Sequence, residues 1–134
     1  MSGSNGMAGV SSKVERMREE RRQLSGDQTI NEPVELWGTI AGRVSVVDGG
    51  KLYVRGAIYG DLTVHDGGRV HILGNIAGKL TVKEGAKVIH GGVLGGDAIN
   101  IGGRLYIEAT GKVMGKIKTR SGQTSIDPHA DIAE

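Results

Sequence analysis

The sequence contains no cysteine and no phenylalanine, and its 134 residues include only one tryptophan, three tyrosines and two prolines. The absence of cysteine excludes a disulfide framework and a thiolate metal site. Globular cores usually take much of their volume from aromatic side chains, so this chain must bury aliphatic residues in another arrangement. The net charge of +2 gives no reason to expect a nucleic-acid partner. No apolar run approaches the ~20 residues that a membrane-spanning helix needs.

Glycine is abundant instead, with 24 residues against a usual share of about 7%. Many of these glycines belong to a repeated motif, glycine-x-aliphatic-x-glycine. The motif begins at Gly38, Gly56, Gly74, Gly91 and Gly111. A second motif, a small pair followed by a base and an aliphatic residue, begins at Gly49, Gly67, Gly85 and Gly102. Two independent motifs with a period close to 18 residues indicate a repeat architecture.

A finer period of six lies inside the longer one. Aliphatic residues occupy every sixth position from Val34 to Val88, and the pattern resumes one residue earlier at Val93, Ile99 and Leu105. Six is not a helical period, but it gives three short strands in each coil of 18 residues. The sequence therefore predicts an all-β, triangular, right-handed parallel β-helix, or β-solenoid. We expect about five coils of about 18 residues, with glycines at the corners.

Alternation within each strand predicts which side chains point into the bore. Face one contributes Ile40, Ile58, Ile76, Val93 and Val113. Face two contributes Val44, Val46, Leu62, Val64, Leu80, Val82, Ile99, Ile101 and Ile117. Face three contributes Val34, Leu36, Leu52, Val54, Val70, Ile72, Val88, Leu105 and Ile107, with His90 in the place equivalent to Val54 and Ile72. This arrangement explains why the sequence has no phenylalanine, because a narrow bore is filled by Val, Ile and Leu.

The chain ends are expected to differ from the repeat. Residues 1–11 predict a disordered tail, of which 1–6 read as a cloning remnant. Residues 12–24 predict a short charged helix, because Ser12 and Glu15 form a capping pattern and apolar side chains recur at helical spacing. This helix is a candidate cap for the solenoid. The solenoid domain is expected over residues 30–126, with a C-terminal tail over 127–134 that contains Pro128.

Residues one coil apart should stack into outward columns. The basic column, at one corner, is Lys51, Arg69, Lys87 and Arg104. The tyrosine column beside it, on face three, is Tyr53, His71, Ile89 and Tyr106. The acidic column, three residues before the basic one, is Asp48, Asp66 and Glu84. Either the two charged columns neutralise each other, or the basic and tyrosine columns together form a partner face.

A further outward column is expected on face one, and it consists of Ala41, Tyr59, Ala77, Leu94 and Met114. Exposed apolar columns usually contact something. Two readings stay open, namely docking of the N-terminal helix or lateral contact with a protein.

The sequence gives no sign of catalysis. None of His65, His71, His90 and His129 has metal-ligand spacing with a carboxylate, and a closed rod offers no cleft in which two titratable groups could share a substrate. We therefore expect no catalytic, cofactor-binding or metal-binding residues, no cofactor and no enzymatic activity.

The repeat around Gly74–Val88, GNIAGKLTVKEGAKV, resembles the bactofilin family of polymer-forming bacterial cytoskeletal proteins. The resemblance covers about residues 34–119 and is carried by the glycines at 38, 42, 56, 60, 74 and 78 and the inward aliphatic residues. It implies a right-handed β-helix that stacks end to end into nucleotide-free filaments and acts as a scaffold at the membrane.

Two functional readings follow. The first is a self-assembling scaffold of bactofilin type, whose partners are copies of itself and other proteins. The second is a small intracellular binding protein, for example a toxin-neutralising immunity protein, that acts through one lateral face. Both predict a cytoplasmic protein with no nucleic-acid partner, and membrane association stays open. A helix over one end would favour the second reading, because it would block stacking.

Overall fold

A computed structural model describes residues 17–133. These residues form an all-β parallel solenoid of about six coils with about 18 residues per coil, so the predicted fold class is confirmed with one coil more than expected. No helix lies within residues 17–133. With a strand spacing of ~4.8 Å, six coils make a rod on the order of 30 Å long.

Each coil contributes one short strand to each of three faces. Face three stacks β1 (Arg18–Glu20), β4 (Pro33–Leu36), β7 (Lys51–Val54), β10 (Arg69–Ile72) and β13 (Lys87–His90). Face one stacks β2 (Gln23–Ser25), β5 (Thr39–Ala41), β8 (Ala57–Ile58), β11 (Asn75–Ile76), β14 (Val93–Leu94), β16 (Lys112–Val113) and β18 (Asp131–Ile132). Face two stacks β3 (Gln28–Ile30), β6 (Val44–Val46), β9 (Leu62–Val64) and β12 (Leu80–Lys83). Two longer strands, β15 (Ala98–Ile107) and β17 (Ile117–Ile126), run from face two onto face three.

The strands pair in parallel, and alternation decides which side chains enter the bore. In β7, for example, Leu52 and Val54 are fully buried while Lys51 and Tyr53 point outward. The same positions in β10 are Val70 and Ile72, one coil further along the chain. The bore is therefore a stack of aliphatic side chains, each worth roughly 1.5–3 kcal/mol when buried, as an upper estimate.

Glycine at the corners lets successive coils approach closely. A Cβ atom added to Gly56 would lie 1.8 Å from the carbonyl oxygen of Gly38 in the preceding coil. One coil later, a Cβ atom on Gly74 would lie 2.0 Å from the carbonyl oxygen of Gly56. No side chain larger than hydrogen fits there without a backbone shift, which explains the glycine motif at this corner.

The predicted helix over 12–24 is wrong where the structure describes it. Residues 12–16 lie outside the described range, as do the predicted tail over 1–11 and residue 134. Residues 18–20 and 23–25 instead form β1 and β2 of the first coil. A helix this short and charged is marginal in water, whereas pairing with β4 and β5 supplies hydrogen bonds along two strands.

The position of the phase slip was also predicted wrongly. Val93 and Ile99 point outward, and Leu94, Ala98 and Asn100 enter the bore instead. The 18-residue register continues from Asn75↔Val93 to Val82↔Asn100, and the coil loses its residue later, at the corner between Asn100 and Arg104. Ile101 and Ile117, both predicted inside, are half-buried.

Asn100 explains how the shortened corner closes. Its Oδ1 accepts hydrogen bonds from the backbone N–H groups of Gly102 (3.2 Å) and Gly103 (2.9 Å). Its Nδ2 donates to the carbonyl oxygens of Gly103 (3.1 Å) and Gln123 (3.0 Å) and to Thr124 Oγ1 (3.1 Å). The side chain thus satisfies backbone groups at the corner where the coil has one residue fewer, and β15 continues across it.

The solenoid extends past both predicted boundaries, from β1 to β18. Within the part of the chain that the structure describes, no helix is long and apolar enough to cross a membrane.

Candidate interaction surfaces

The basic and tyrosine columns occupy the places predicted for them on face three. Arg69 pairs in register with Lys51 on one side and with Lys87 on the other, and Lys87 pairs with Arg104. The tyrosine column follows the same register through His71↔Tyr53 and Ile89↔Tyr106. Four cationic side chains therefore stand on successive coils, ~4.8 Å apart, beside a column of apolar and aromatic side chains.

Side chains of the tyrosine column contact one another and the residues around them. The rings of Tyr53 and His71 meet edge to face with their centroids 5.5 Å apart. Lys51 Nζ lies 5.8 Å from the centre of the Tyr53 ring, and His71 Nε2 lies 3.2 Å from Glu108 Oε1. Tyr53, His71 and Ile89 are half-buried, whereas Tyr106 is 41% exposed.

Two shallow grooves lie between the columns. The first has a volume of about 180 Å³ and is lined by Lys51, Tyr53, Arg69, Val70, His71, Lys87 and Ile89. The second has a volume of about 190 Å³ and is lined by Lys87, Val88, Ile89, Arg104, Leu105, Tyr106, Gln123 and Ser125. They share Lys87 and Ile89, so they adjoin each other along the rod.

The acidic column does not pair with the basic column. Among the residues from 17 to 133, no carboxylate lies within ion-pair distance of Arg69, Lys87 or Arg104. The carboxylates lie over the turn of the next coil instead. Asp66 Oδ1, for example, is 1.8 Å from the place that a Cβ atom on Gly85 would take.

A different corner shows a column in which the charges alternate. This alternating column, between faces one and two, was not predicted, and it consists of Asp27, Arg43, Asp61, Lys79, Asp97 and Lys116. Each aspartate accepts a 2.9 Å hydrogen bond from the backbone N–H of the basic residue in the next coil. The bond from the backbone N–H of Arg43, followed by that from its side chain, lowers the pKa of Asp27. The signal was present in the sequence as a charge after each corner glycine.

The predicted column on face one is only partly correct. Tyr59 (59% exposed) and Met114 (57%) point outward, as do Ala41 and Ala77. Leu94 is fully buried, and Gly95 takes its place, because the phase slip lies further along the chain than predicted. The helix expected to dock on this face is absent over residues 17–24.

Trp37 forms an exposed cation–π stack that was not predicted from the sequence. The guanidinium carbons of Arg21 and Arg55 lie 4.9 Å and 5.0 Å from the centre of its ring. Arg21 also pairs with Glu19 and Arg55 with Glu35, so both cations are anchored. The only tryptophan in the chain was a signal, but its alignment with two arginines needed the register of the coils.

The two ends of the described solenoid differ in chemistry. At the N-terminal end Glu20 occupies a bore position and is buried, with Arg18 Nη1 at 2.9 Å and Arg22 Nε at 2.8 Å from its carboxylate. Hydrogen bonds from the Arg22 side chain, supported by Arg18, lower the pKa of Glu20 to about 2. A polar cluster therefore lies at this mouth of the bore.

At the C-terminal end the bore is uncovered within residues 17–133, and its inward positions hold isoleucines together with two threonines that hydrogen-bond to each other. Ile126 is in register with Ile107, yet Ile126 is 45% exposed while Ile107 is fully buried. Ile117 and Ile132 pack against the core and stay half-buried. The outer edges of β17 and β18 pair with no further strand among the described residues.

His90 lies inside the bore, as predicted, and is fully buried. Its Nε2 lies 2.9 Å from the carbonyl oxygen of Lys112, and its Nδ1 has no hydrogen-bond partner. Burial lowers the pKa of His90, so the neutral ring donates from Nε2. Over residues 17–133, no group of three or more His, Asp or Glu side chains is placed to hold a metal ion.

Comparison of the chain with protein-family models, with curated proteins and with solved structures gave no match.

Proposed function

We propose that this chain is a non-enzymatic, cytoplasmic structural protein of bactofilin type, which self-assembles through the ends of its solenoid and recruits other proteins along its sides. The observation that carries the proposal is the C-terminal end of the bore, where Ile126 is 45% exposed at a position that is fully buried one coil earlier. A second copy placed on this end would bury Ile126 together with the half-buried Ile117 and Ile132.

Backbone hydrogen bonding favours the same contact. Beyond Ile117, the outer edge of β17 pairs with no strand among residues 17–133, and one more rung of strands would satisfy its backbone N–H and C=O groups. Natural proteins usually cover or charge such edges. An apolar surface that pairs with itself gives an isologous, two-fold contact, so we expect the C-terminal ends of two copies to meet first.

The N-terminal end should join differently. The outer edges of β1, β2 and β3 are also free within the described range, but the bore mouth holds the Arg18–Glu20–Arg22 cluster. Contacts made through such charges weaken as salt rises, whereas apolar contacts do not. We therefore expect high salt to reduce long assemblies to pairs joined at their C-terminal ends.

The absence of an enzymatic role is part of the proposal. It is supported by the arrangement of most titratable side chains among residues 17–133, which stand in columns on outward faces, and by the ion pairs that hold Glu20 between Arg18 and Arg22. His90, which is titratable and buried, lies inside the bore.

One observation favours the second reading, a binding protein that acts through one lateral face. The two connected grooves on face three give this face a concave surface lined by cationic and aromatic side chains. Arginine and tyrosine are common at binding hot spots. Under this reading the chain would bind its partner equally well without assembling.

Sedimentation velocity and negative-stain microscopy of Ile126→Lys test the proposal. The change places a cation in the C-terminal contact, and because Ile126 is already 45% exposed the fold should survive. We expect the wild-type chain to form rods and the variant to form no species longer than a pair. The matched control is Thr63→Lys, which adds the same charge to an outward position on face two and should assemble normally. A wild-type chain that stays monomeric, or an Ile126→Lys variant that assembles as the control does, would overturn the proposal.

A further inference from the structure

The basic column is a departure from the way this molecule treats charge elsewhere. At the alternating column the charge reverses at every coil, from Asp27 through to Lys116, and the aspartates bond to the next coil. Like charges on directly neighbouring strands destabilise a sheet, whereas opposite charges support it. The alternating column thus avoids repulsion by placing opposite charges on neighbouring coils, whereas the basic column places four like charges on neighbouring coils.

Three of the four cations in the basic column have no acidic partner among the described residues. Arg69, Lys87 and Arg104 are exposed and pair with no carboxylate from residues 17–133. Two residues of the acidic column, Asp48 and Asp66, lie against turn glycines of the following coils. Three stacked, unpaired cations repel one another, and an anionic ligand that bound along them would relieve the repulsion.

The tyrosine column adds a second requirement to that ligand. Tyr53, His71 and Ile89 line the floor of the grooves and are half-buried, so they accept apolar groups rather than water alone. The ligand that fits both columns carries acidic groups on one side and apolar groups on the other. An extended peptide has this property, because successive side chains point to opposite sides.

The dimensions also suit a short peptide. Four coils span roughly 14 Å at a spacing of ~4.8 Å, and an extended chain of about five residues covers that length at ~3.3 Å per residue. The column is one residue wide, and Glu108 lies beside His71 at its edge. A phosphodiester backbone or a bilayer surface would bring its charges against this carboxylate, and the net charge of +2 supplies no broad positive field to attract either.

We infer that face three is a docking site for an extended acidic peptide segment of a partner protein, with its carboxylates on Arg69, Lys87 and Arg104 and its apolar side chains against Tyr53, His71 and Ile89. This site goes beyond self-assembly and does not depend on it, because all of these side chains point away from the bore and lie between the two ends.

Fluorescence anisotropy with a labelled peptide of alternating glutamate and leucine tests the inference. We expect saturable binding that weakens with salt, and binding at least about tenfold weaker for the same peptide with glutamine in place of glutamate. The double variant Arg69→Glu with Lys87→Glu should bind the glutamate–leucine peptide about tenfold or more weaker than the wild type does. Arg69→Gln with Lys87→Gln is a milder second variant that should weaken binding without introducing new charge.

The matched control is Lys79→Glu with Lys83→Glu, which makes the same change in net charge at exposed positions beside and on face two, away from both ends. This control should bind the peptide within about twofold of the wild type. Tyr53→Ala should weaken binding of the glutamate–leucine peptide, and the dependence of that binding on salt should stay the same. Equal losses in both double variants would reduce the effect to net charge and overturn the site. Tighter binding of a single-stranded oligonucleotide or of anionic phospholipid vesicles than of the peptide would overturn the assignment of its ligand. Sedimentation run in parallel separates these results from assembly, because none of the changes lies at an end.

Discussion

At the scale of single residues, the bore is aliphatic except where a polar side chain has a defined partner. Glu20 is clamped between two arginines, Asn100 makes five hydrogen bonds to surrounding groups, and His90 donates one hydrogen bond from a fully buried ring. Only His90 is left with an unsatisfied buried side-chain atom among the described residues. Its protonation would place a charge between Ile72 and Ile107, its neighbours in the stack.

His90 therefore predicts how stability depends on pH near neutrality. Because its folded pKa is lowered from 6.5, the unfolded chain binds more protons below that value. The contribution of His90 to stability is fully present above pH 6.5 and declines as the pH falls below it. Urea unfolding at a series of pH values should show this decline in the wild type, and His90→Leu should abolish it.

The control for this prediction is His65→Gln, which changes an outward histidine and should keep the decline. Glu20 acts in a separate window, because its pKa is lowered from 4.5 to about 2 and its contribution is lost only as the pH falls through that range. A His90→Leu variant with the same pH dependence as the wild type above pH 4.5 would contradict the assignment.

At the scale of elements, the repeat was predictable and its interruptions were not. The period of six identified β4 to β13 and most of the inward positions, because every coil offers the same pattern of alternating aliphatic residues. The first coil was mistaken for a helix since its inward positions include Arg18 and Glu20, which break that pattern. Charges are tolerated there because the bore opens at that end, which no local pattern reveals.

The position of the phase slip was predicted wrongly for a similar reason. The glycine motif fits two registers here, because Gly91 and Gly92 are adjacent, as are Gly95 and Gly96. The predicted motif begins at Gly91, whereas in the structure Gly92 stacks on Gly74. Asn100, placed outward by that error, lies in the bore. Among the candidate surfaces, every residue of the basic and tyrosine columns lies where the sequence predicts it. No residue of either column lies within the slip, so the predicted pairing of each coil with the next is unaffected. The alternating column and the Trp37 stack were missed.

Asn100 provides a test at this scale, because a sequence pattern and the structure make opposite predictions for Asn100→Val. Valine continues the column of Val64 and Val82 and would be expected to improve an aliphatic bore. The structure instead predicts a loss of at least about 2 kcal/mol, since buried backbone groups at the shortened corner lose their partners. Chemical denaturation measures the difference, with Thr81→Val, an outward change to the same residue, as control. A stabilised Asn100→Val variant would show that the corner does not depend on the asparagine.

At the scale of the whole molecule, the chain is a short rod with two different ends and three different sides. The C-terminal end holds isoleucines and two threonines, and the N-terminal end holds an ion-pair cluster. On face three Arg69 and Lys87, which pair with no carboxylate among residues 17–133, lie beside aromatic side chains. A rod of this kind offers one set of contact surfaces at its ends and another along its sides. Under the proposed function, growth along the axis would use the ends, and recruitment would use the sides. Assembly and binding should therefore respond to different substitutions, with Ile126 affecting the first and Arg69 and Lys87 the second.

The direction of stacking is the central claim, and diffraction from aligned filaments tests it most directly. In end-to-end growth every strand lies across the filament, so the spacing between coils repeats along its axis. End-to-end growth predicts a strong meridional reflection at ~4.8 Å, in fibre diffraction or in the averaged power spectrum of electron micrographs. It also predicts that Ile126→Lys removes these filaments. A reflection at that spacing on the equator, which would mean rods lying side by side across the filament, would contradict the account, as would a wild-type chain that forms no filament.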